Sequence, residues 1–167
     1  MKLKGIVDSD ISNYKKISMF VITNTCSLKC DKENGNNYCQ NSGLLSSPDI
    51  EISADELYER YMKSKLSEAL VIGGLEPFDS IADLLEIMIT FRGIHKCTDD
   101  IVIYTGYRRE EISSELFILR DYKPFIVKFG RYRPNQKPHF DEILGVELAN
   151  DEQYAEYIGN QNHVDDR

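Results

Sequence analysis

The chain has 167 residues, a net charge of −8 and 41% hydrophobic residues. That is long enough for one domain with its own core and too apolar for a disordered segment. The acidic balance argues against duplex DNA or an anionic membrane as partner, since both reward clustered Lys and Arg. The opening residues, Met1-Lys-Leu-Lys-Gly-Ile-Val-Asp8, contain no apolar signal core, and no stretch approaches a membrane span. A cytoplasmic protein is the expectation. Residues 1–159 are predicted to form a single domain, with a loose tail at 160–167.

In chain order, the first informative run is Ser18-Met-Phe-Val-Ile-Thr23, β-branched and aromatic, which predicts a buried strand. Three cysteines follow it at once, Cys26, Cys30 and Cys39, on the loop that leaves the strand's carboxyl end. Open α/β sheets bind their ligands at that edge. Disulfides are disfavoured in a reduced compartment. Zinc, with His95 or Cys97 as fourth ligand, and an iron–sulfur cluster on three thiolates both stay open on spacing alone. Cys97 itself reads as a half-buried bystander.

Next, Ser53-Ala-Asp-Glu56 predicts a capping box opening a helix whose apolar stripe runs from Leu57 through Tyr61 to Leu66. Ala69-Leu-Val-Ile72 is a second short buried strand leading into Gly73-Gly-Leu-Glu-Pro77. Asp79 or Ser80 then caps a helix bearing Ile81, Leu84, Leu85, Met88 and Ile89. Ile101-Val-Ile-Tyr104 is a third strand, leading into Thr105-Gly-Tyr107, and short helical pieces follow from Arg109 to Leu119. Phe125-Ile-Val-Lys128 is a fourth strand, and 144–148 a candidate fifth. No periodicity is evident after Asp151. Alternation of strands and helices predicts an α/β fold with an open, mostly parallel sheet, in which the three loops after the first three strands converge on one edge. Paired glycines let a backbone approach a bound molecule closely, and Glu76 beside them can accept from an ammonium group. Arg131 and Arg133 can pair with a carboxylate at that edge, although solvated arginines are commoner. His139 reads as a loop residue.

With these residues assembled, the chain resembles the radical S-adenosylmethionine proteins, and among them the small activating proteins of anaerobic ribonucleoside-triphosphate reductase, from about Ile6 to Ile158. Cys26, Cys30 and Cys39 match the three cluster cysteines, with aromatic Tyr38 before the last. Gly73-Gly-Leu-Glu76-Pro is similar to the family's Gly-Gly-Glu-Pro element with one residue inserted, and Ile103-Tyr-Thr-Gly-Tyr107 to its third-motif strand end. The resemblance implies a shortened TIM-barrel-like fold. It implies a [4Fe–4S] cluster on Cys26, Cys30 and Cys39, with S-adenosylmethionine at the open iron. Tyr38, Gly73, Gly74, Glu76, Thr105 and Gly106 would be its contacts.

It further implies one-electron cleavage to a 5′-deoxyadenosyl radical that abstracts hydrogen from a glycine of a partner glycyl radical enzyme. That partner is expected to be anaerobic ribonucleotide reductase, with a flavodoxin or ferredoxin as electron donor. Two other readings are a non-catalytic 4Fe-4S or zinc module and a radical enzyme acting on a small molecule. The short, open sheet argues against the latter, since it leaves the site uncovered and suits a protein substrate that covers it. Where the family has Cys-x3-Cys-x2-Cys, this chain has eight residues between Cys30 and Cys39. They are polar and carry an Asn-Gly turn signal, so they are expected to loop out and return Cys39 to its partners.

Overall fold

Four apolar runs form the centre of the sheet: β2 (Ser18–Thr23), β4 (Ala69–Gly73), β5 (Asp100–Tyr104) and β6 (Phe125–Phe129). They lie side by side and parallel in a computed structural model that describes residues 1–35 and 38–159. The register explains why the runs are continuous rather than alternating. Val21, Ile72, Ile103 and Val127 stand in one row across the sheet, and Phe20, Val71, Val102 and Ile126 in the next. The first row joins the core beneath the helices and the second a smaller core on the opposite face. Strands covered on both faces need apolar residues at every position.

Antiparallel strands complete the sheet. β1 (Lys2–Asp10) pairs with β2, two-residue β3 (Ile50–Glu51) with β1, and β9 (Tyr154–Ile158) with β6. The order is β3-β1-β2-β4-β5-β6-β9. The fold is therefore mixed α/β, with a parallel centre and antiparallel flanks.

Four helices carry the connections: α1 (Lys29–Asn34), α2 (Ala54–Lys63), α3 (Ile81–Met88) and α4 (Ser113–Ile118). The capping box of α2 forms as its residues predict, with Ser53 Oγ accepting from the Glu56 amide at 3.2 Å and the Ser53 amide donating to Glu56 at 2.8 Å. Leu57 and Tyr61 are buried, whereas Leu66 lies beyond the helix and is exposed, so the stripe ends sooner than expected. α3 differs at its start. Ser80 precedes it without a side-chain cap, because a 3-10 turn over Pro77–Ser80 leads in and takes its own cap from Glu76.

Three further differences concern the last third of the chain. The segment around 144–148 does not join the main sheet. β8 (Val146–Leu148) pairs only with β7 (His139–Asp141), and His139 opens a strand rather than sitting in a loop. Leu144 and Leu148 of this hairpin are buried with Tyr14 against Val71, Val102 and Ile126, so the chain supplies its own cover for the face opposite the helices. The segment after Asp151 contains β9. Its buried residues, Ala155 and Ile158, fall one on each face, which is why no amphipathic alternation marks it. The predicted tail at 160–167 lies outside the described residues. Among the described residues no helix is long and apolar enough to cross a membrane.

Candidate iron–sulfur site

All four parallel strands point their carboxyl ends at the same edge, and the loops leaving them are stitched together there. The Glu76 amide donates to Thr25 O at 2.9 Å, the Thr105 amide to Lys128 O at 2.9 Å, and the Gly130 amide to Tyr107 O at 3.0 Å. A cavity of about 300 Å³ opens among them, lined by Cys26, Cys30, Cys39, Gly74, Glu76, Thr105 and Gly106. The three sequence-predicted thiols therefore share one cavity with four of the six predicted contacts. Gly73 and Tyr38 are not among its lining. Gly73 ends β4, packed against Tyr104, and Tyr38 is exposed. Cys97 and His95 are also elsewhere. Cys97 packs against the helical core, and His95 stacks on Tyr58 at 3.8 Å.

Two glycines make the cavity possible. Gly74 has φ of 79°, and a Cβ there would stand 2.6 Å from Ile22 Cγ2, so only glycine carries the turn. At Gly106 a Cβ would reach to 3.1 Å of Cys30 Sγ and 3.6 Å of Glu76 Oε2. The missing side chain leaves open the space between thiol and carboxylate.

Glu76 joins two of the loops. Its Oε1 accepts from Thr105 Oγ1 at 2.7 Å and from the Phe78 amide at 3.2 Å, and its Oε2 from the Gly106 amide at 2.9 Å. Burial pushes its carboxyl up to about 7 against the downward pull of those three donors. Lys128, on the face of β6 opposite the helices, is also buried and donates to Gly130 O at 3.0 Å. Burial brings its ammonium down to about 8, while Cys30 and Glu76 nearby favour its charge.

The cysteine loop is tied to the sheet from below. Asp79 accepts from the Ser27 amide at 2.5 Å and from the Tyr107 hydroxyl, and Lys29 sits 4.2 Å above the Tyr107 ring. Arg131 is the main brace. Its side chain is 1% exposed, pairs with Glu33 of α1 at 3.0 Å and Glu111 at 2.7 Å, and donates to Gly106 O. It is not a solvated arginine, while Arg133 is a surface partner of Glu152 at 3.0 Å. The sequence allowed a carboxylate partner for Arg131 at this edge but could not name it, because Glu33 and Arg131 lie 98 residues apart. Phe20, Tyr104, Lys128 and Gln153, which also line the cavity, were unmarked.

The donor set suits an iron–sulfur cluster, which takes thiolate ligands. The three thiols line a common space beside a glycine cradle. Burial pushes the Cys26 thiol up to about 11, against the Leu28 amide that donates to its sulfur at 3.3 Å, and pushes Cys30 up as well. A metal that binds cysteine has to displace the thiol proton.

The comparison with known families agrees. The family model described as a 4Fe-4S single cluster domain matches residues 15–144. The chain belongs to that family. No curated protein and no solved structure matches it.

Proposed function

We propose that this 4Fe-4S protein is a radical S-adenosylmethionine activase that generates a glycyl radical on a partner enzyme, with anaerobic ribonucleotide reductase as the expected partner and a flavodoxin or ferredoxin as electron donor. One observation carries the reading: three thiols from one loop line the same cavity as Glu76, Thr105 and Gly106 at the carboxyl edge of the parallel strands. In this reading Cys26, Cys30 and Cys39 would hold the cluster through their thiolates. The cluster and S-adenosylmethionine, when bound, supply the one-electron reductive chemistry that begins hydrogen abstraction.

The chain's own residues bind, orient and exclude water. Glu76 accepts three internal hydrogen bonds and keeps about one lone-pair site, on Oε2, for an ammonium donor. Gly74 and Gly106 leave room for the rest of that molecule, Thr105 fixes the rim, and Tyr38 flanks the third thiol. Lys128 supports negative charge at Cys30 and Glu76. The hairpin of β7 and β8 covers the sheet face behind the site, so the partner's glycine has to approach from the open edge. The shortened-barrel description of the sheet belongs to this same reading.

The deciding experiment is anaerobic. Protein loaded with iron and sulfide and then reduced is mixed with S-adenosylmethionine and the reductase. A glycyl radical doublet in electron paramagnetic resonance, with 5′-deoxyadenosine formed in step, is the expected result. Deoxyadenosine without a protein radical would assign a different substrate, and neither product from a reducible cluster would leave a non-catalytic 4Fe-4S module.

A further inference from the structure

Eight residues separate Cys30 from Cys39, and a free loop of that length would lower the local concentration of the third thiol at the first two. Something in the fold has to bring Cys39 back. The residue next to Cys30 does so by geometry. Asp31 is 7% exposed, and its Oδ1 accepts from the backbone amides of both Tyr38 and Cys39, at 2.8 and 2.7 Å. A single carboxylate oxygen thus binds the two amides at the far end of the insertion.

The start of the insertion is fixed as well. α1 ends at Gly35, whose φ of 76° turns the chain and whose amide donates to Asp31 O at 2.9 Å, and Asn34 Nδ2 donates to Tyr132 O at 3.0 Å. On the other side, Cys39 O accepts from the amide and hydroxyl of Ser42, at 3.2 and 2.9 Å. Cys39 is therefore held before and after its own side chain. A second observation sets Asp31 apart from an ordinary turn residue: its Oδ2 is buried with no hydrogen-bond partner among the described residues. Burying an unpartnered carboxylate oxygen is costly, and hydrogen bonds to a charged acceptor are about twice as strong as neutral ones.

We infer that Asp31 is the positioning residue for the third cluster ligand: it pins the amides of Tyr38 and Cys39 beside Cys30, so the long insertion presents its thiols as a short spacing would. The inference rests on the cluster reading given above. It assigns Asp31 no contact with the cluster itself: its hold on Cys39 is through the backbone amide.

The test compares four variants with wild type: Asp31→Ala, Asp31→Asn, removal of residues 32–37, and that removal combined with Asp31→Ala. Removal leaves Cys30-Asp31-Tyr38-Cys39, with two residues between the thiols. In metal-free protein, iodoacetamide labelling followed by peptide mass spectrometry reads Cys39 against Cys97 of the same molecule. In reconstituted protein, iron loss to a chelator is timed.

Asp31→Ala should speed Cys39 labelling and iron loss by roughly tenfold while Cys97 is unchanged, and Asp31→Asn should fall between it and wild type. In the shortened chain, Asp31→Ala should have no effect on either rate. Unchanged Cys39 labelling in Asp31→Ala, or an undiminished effect in the shortened chain, would overturn the inference. Should the shortened chain not fold, the order of the full-length Ala and Asn variants decides. If wild type takes up no iron, the proposed function fails, yet the labelling experiment still decides the role of Asp31.

Discussion

The two ends of the parallel strands carry the same kinds of charge in opposite surroundings. At the amino ends, Asp100 accepts from Lys16 at 2.5 Å and from Tyr14 at 3.0 Å, but the Lys16 and Asp100 side chains are 40% and 31% exposed. At the carboxyl ends, Asp31, Glu76, Lys128 and Arg131 are all under a tenth exposed. Water shares the cost of the first set. For the second, desolvation costs several kcal/mol per ion and has to be offset by the protein. Backbone groups do much of this: the amides of Phe78, Gly106, Tyr38 and Cys39 for the carboxylates, the carbonyls of Gly106 and Gly130 for the cations. Charge held at that cost, gathered on one edge of the sheet, is a marker of a functional site.

The contrast can be broken experimentally. The largest effect belongs to the thiols: Cys26→Ala, Cys30→Ala or Cys39→Ala should each abolish the brown chromophore and iron retention after anaerobic reconstitution, while Cys97→Ala keeps both. Next is Arg131→Met, expected to cost about 3 kcal/mol in urea unfolding, near the low end for breaking a buried pair because Glu33 and Glu111 stay in contact with water. Glu76→Gln should cost about 1–3 kcal/mol, since its new NH2 group must face a donor from Gly106 or Thr105. It should also weaken S-adenosylmethionine binding roughly tenfold in calorimetry with iron content unchanged.

Acid should expose the Arg131 brace selectively. The Arg131 guanidinium beside Glu111 holds its carboxyl at about 2, well below the ordinary 4.5. A carboxyl depressed in the folded state contributes fully above its unfolded value and loses that contribution as pH falls through its folded one. Wild type should therefore lose stability from about pH 4.5 towards 2, and Arg131→Met should lose less over that window. At the opposite end, Lys16→Ala should change stability by less than about 1 kcal/mol, as exposed pairs do. A Lys16 effect as large as that of Arg131 would erase the distinction between the two edges.

What the sequence made legible divides along the same line. Runs such as Ala69-Leu-Val-Ile72 announce strands because both faces are covered, and each central strand falls where its run predicts. The three thiols and Glu76 were readable because the loop after each strand has a known side of the sheet to occupy. β1 was hidden by its charges and by a burial pattern with one deeply buried residue, Leu3. β9 was hidden by sharing its apolar residues between two cores. The partners of Arg131, whose pairing with a carboxylate at the edge the sequence did allow, and the role of Asp31 were beyond reach for different reasons. The first include a residue far away in the chain, and the second depends on two backbone amides that have no identity in a sequence.

The hairpin of β7 and β8 has one more consequence. Leu144 is fully buried and Leu148 nearly so, and the Lys15 amide donates to Leu144 O at 2.7 Å, while a Cβ on Gly145 would meet Lys15 Cβ at 2.5 Å. Swinging this cover away would strip water-excluded surface from Ala69, Val71, Val102 and Ile126 together, at about 25 cal/mol for every Å² bared. The cover behaves as a wall and not as a door. A molecule entering the cavity then has to come in among the loops at the carboxyl edge of the strands, and not through this face of the sheet.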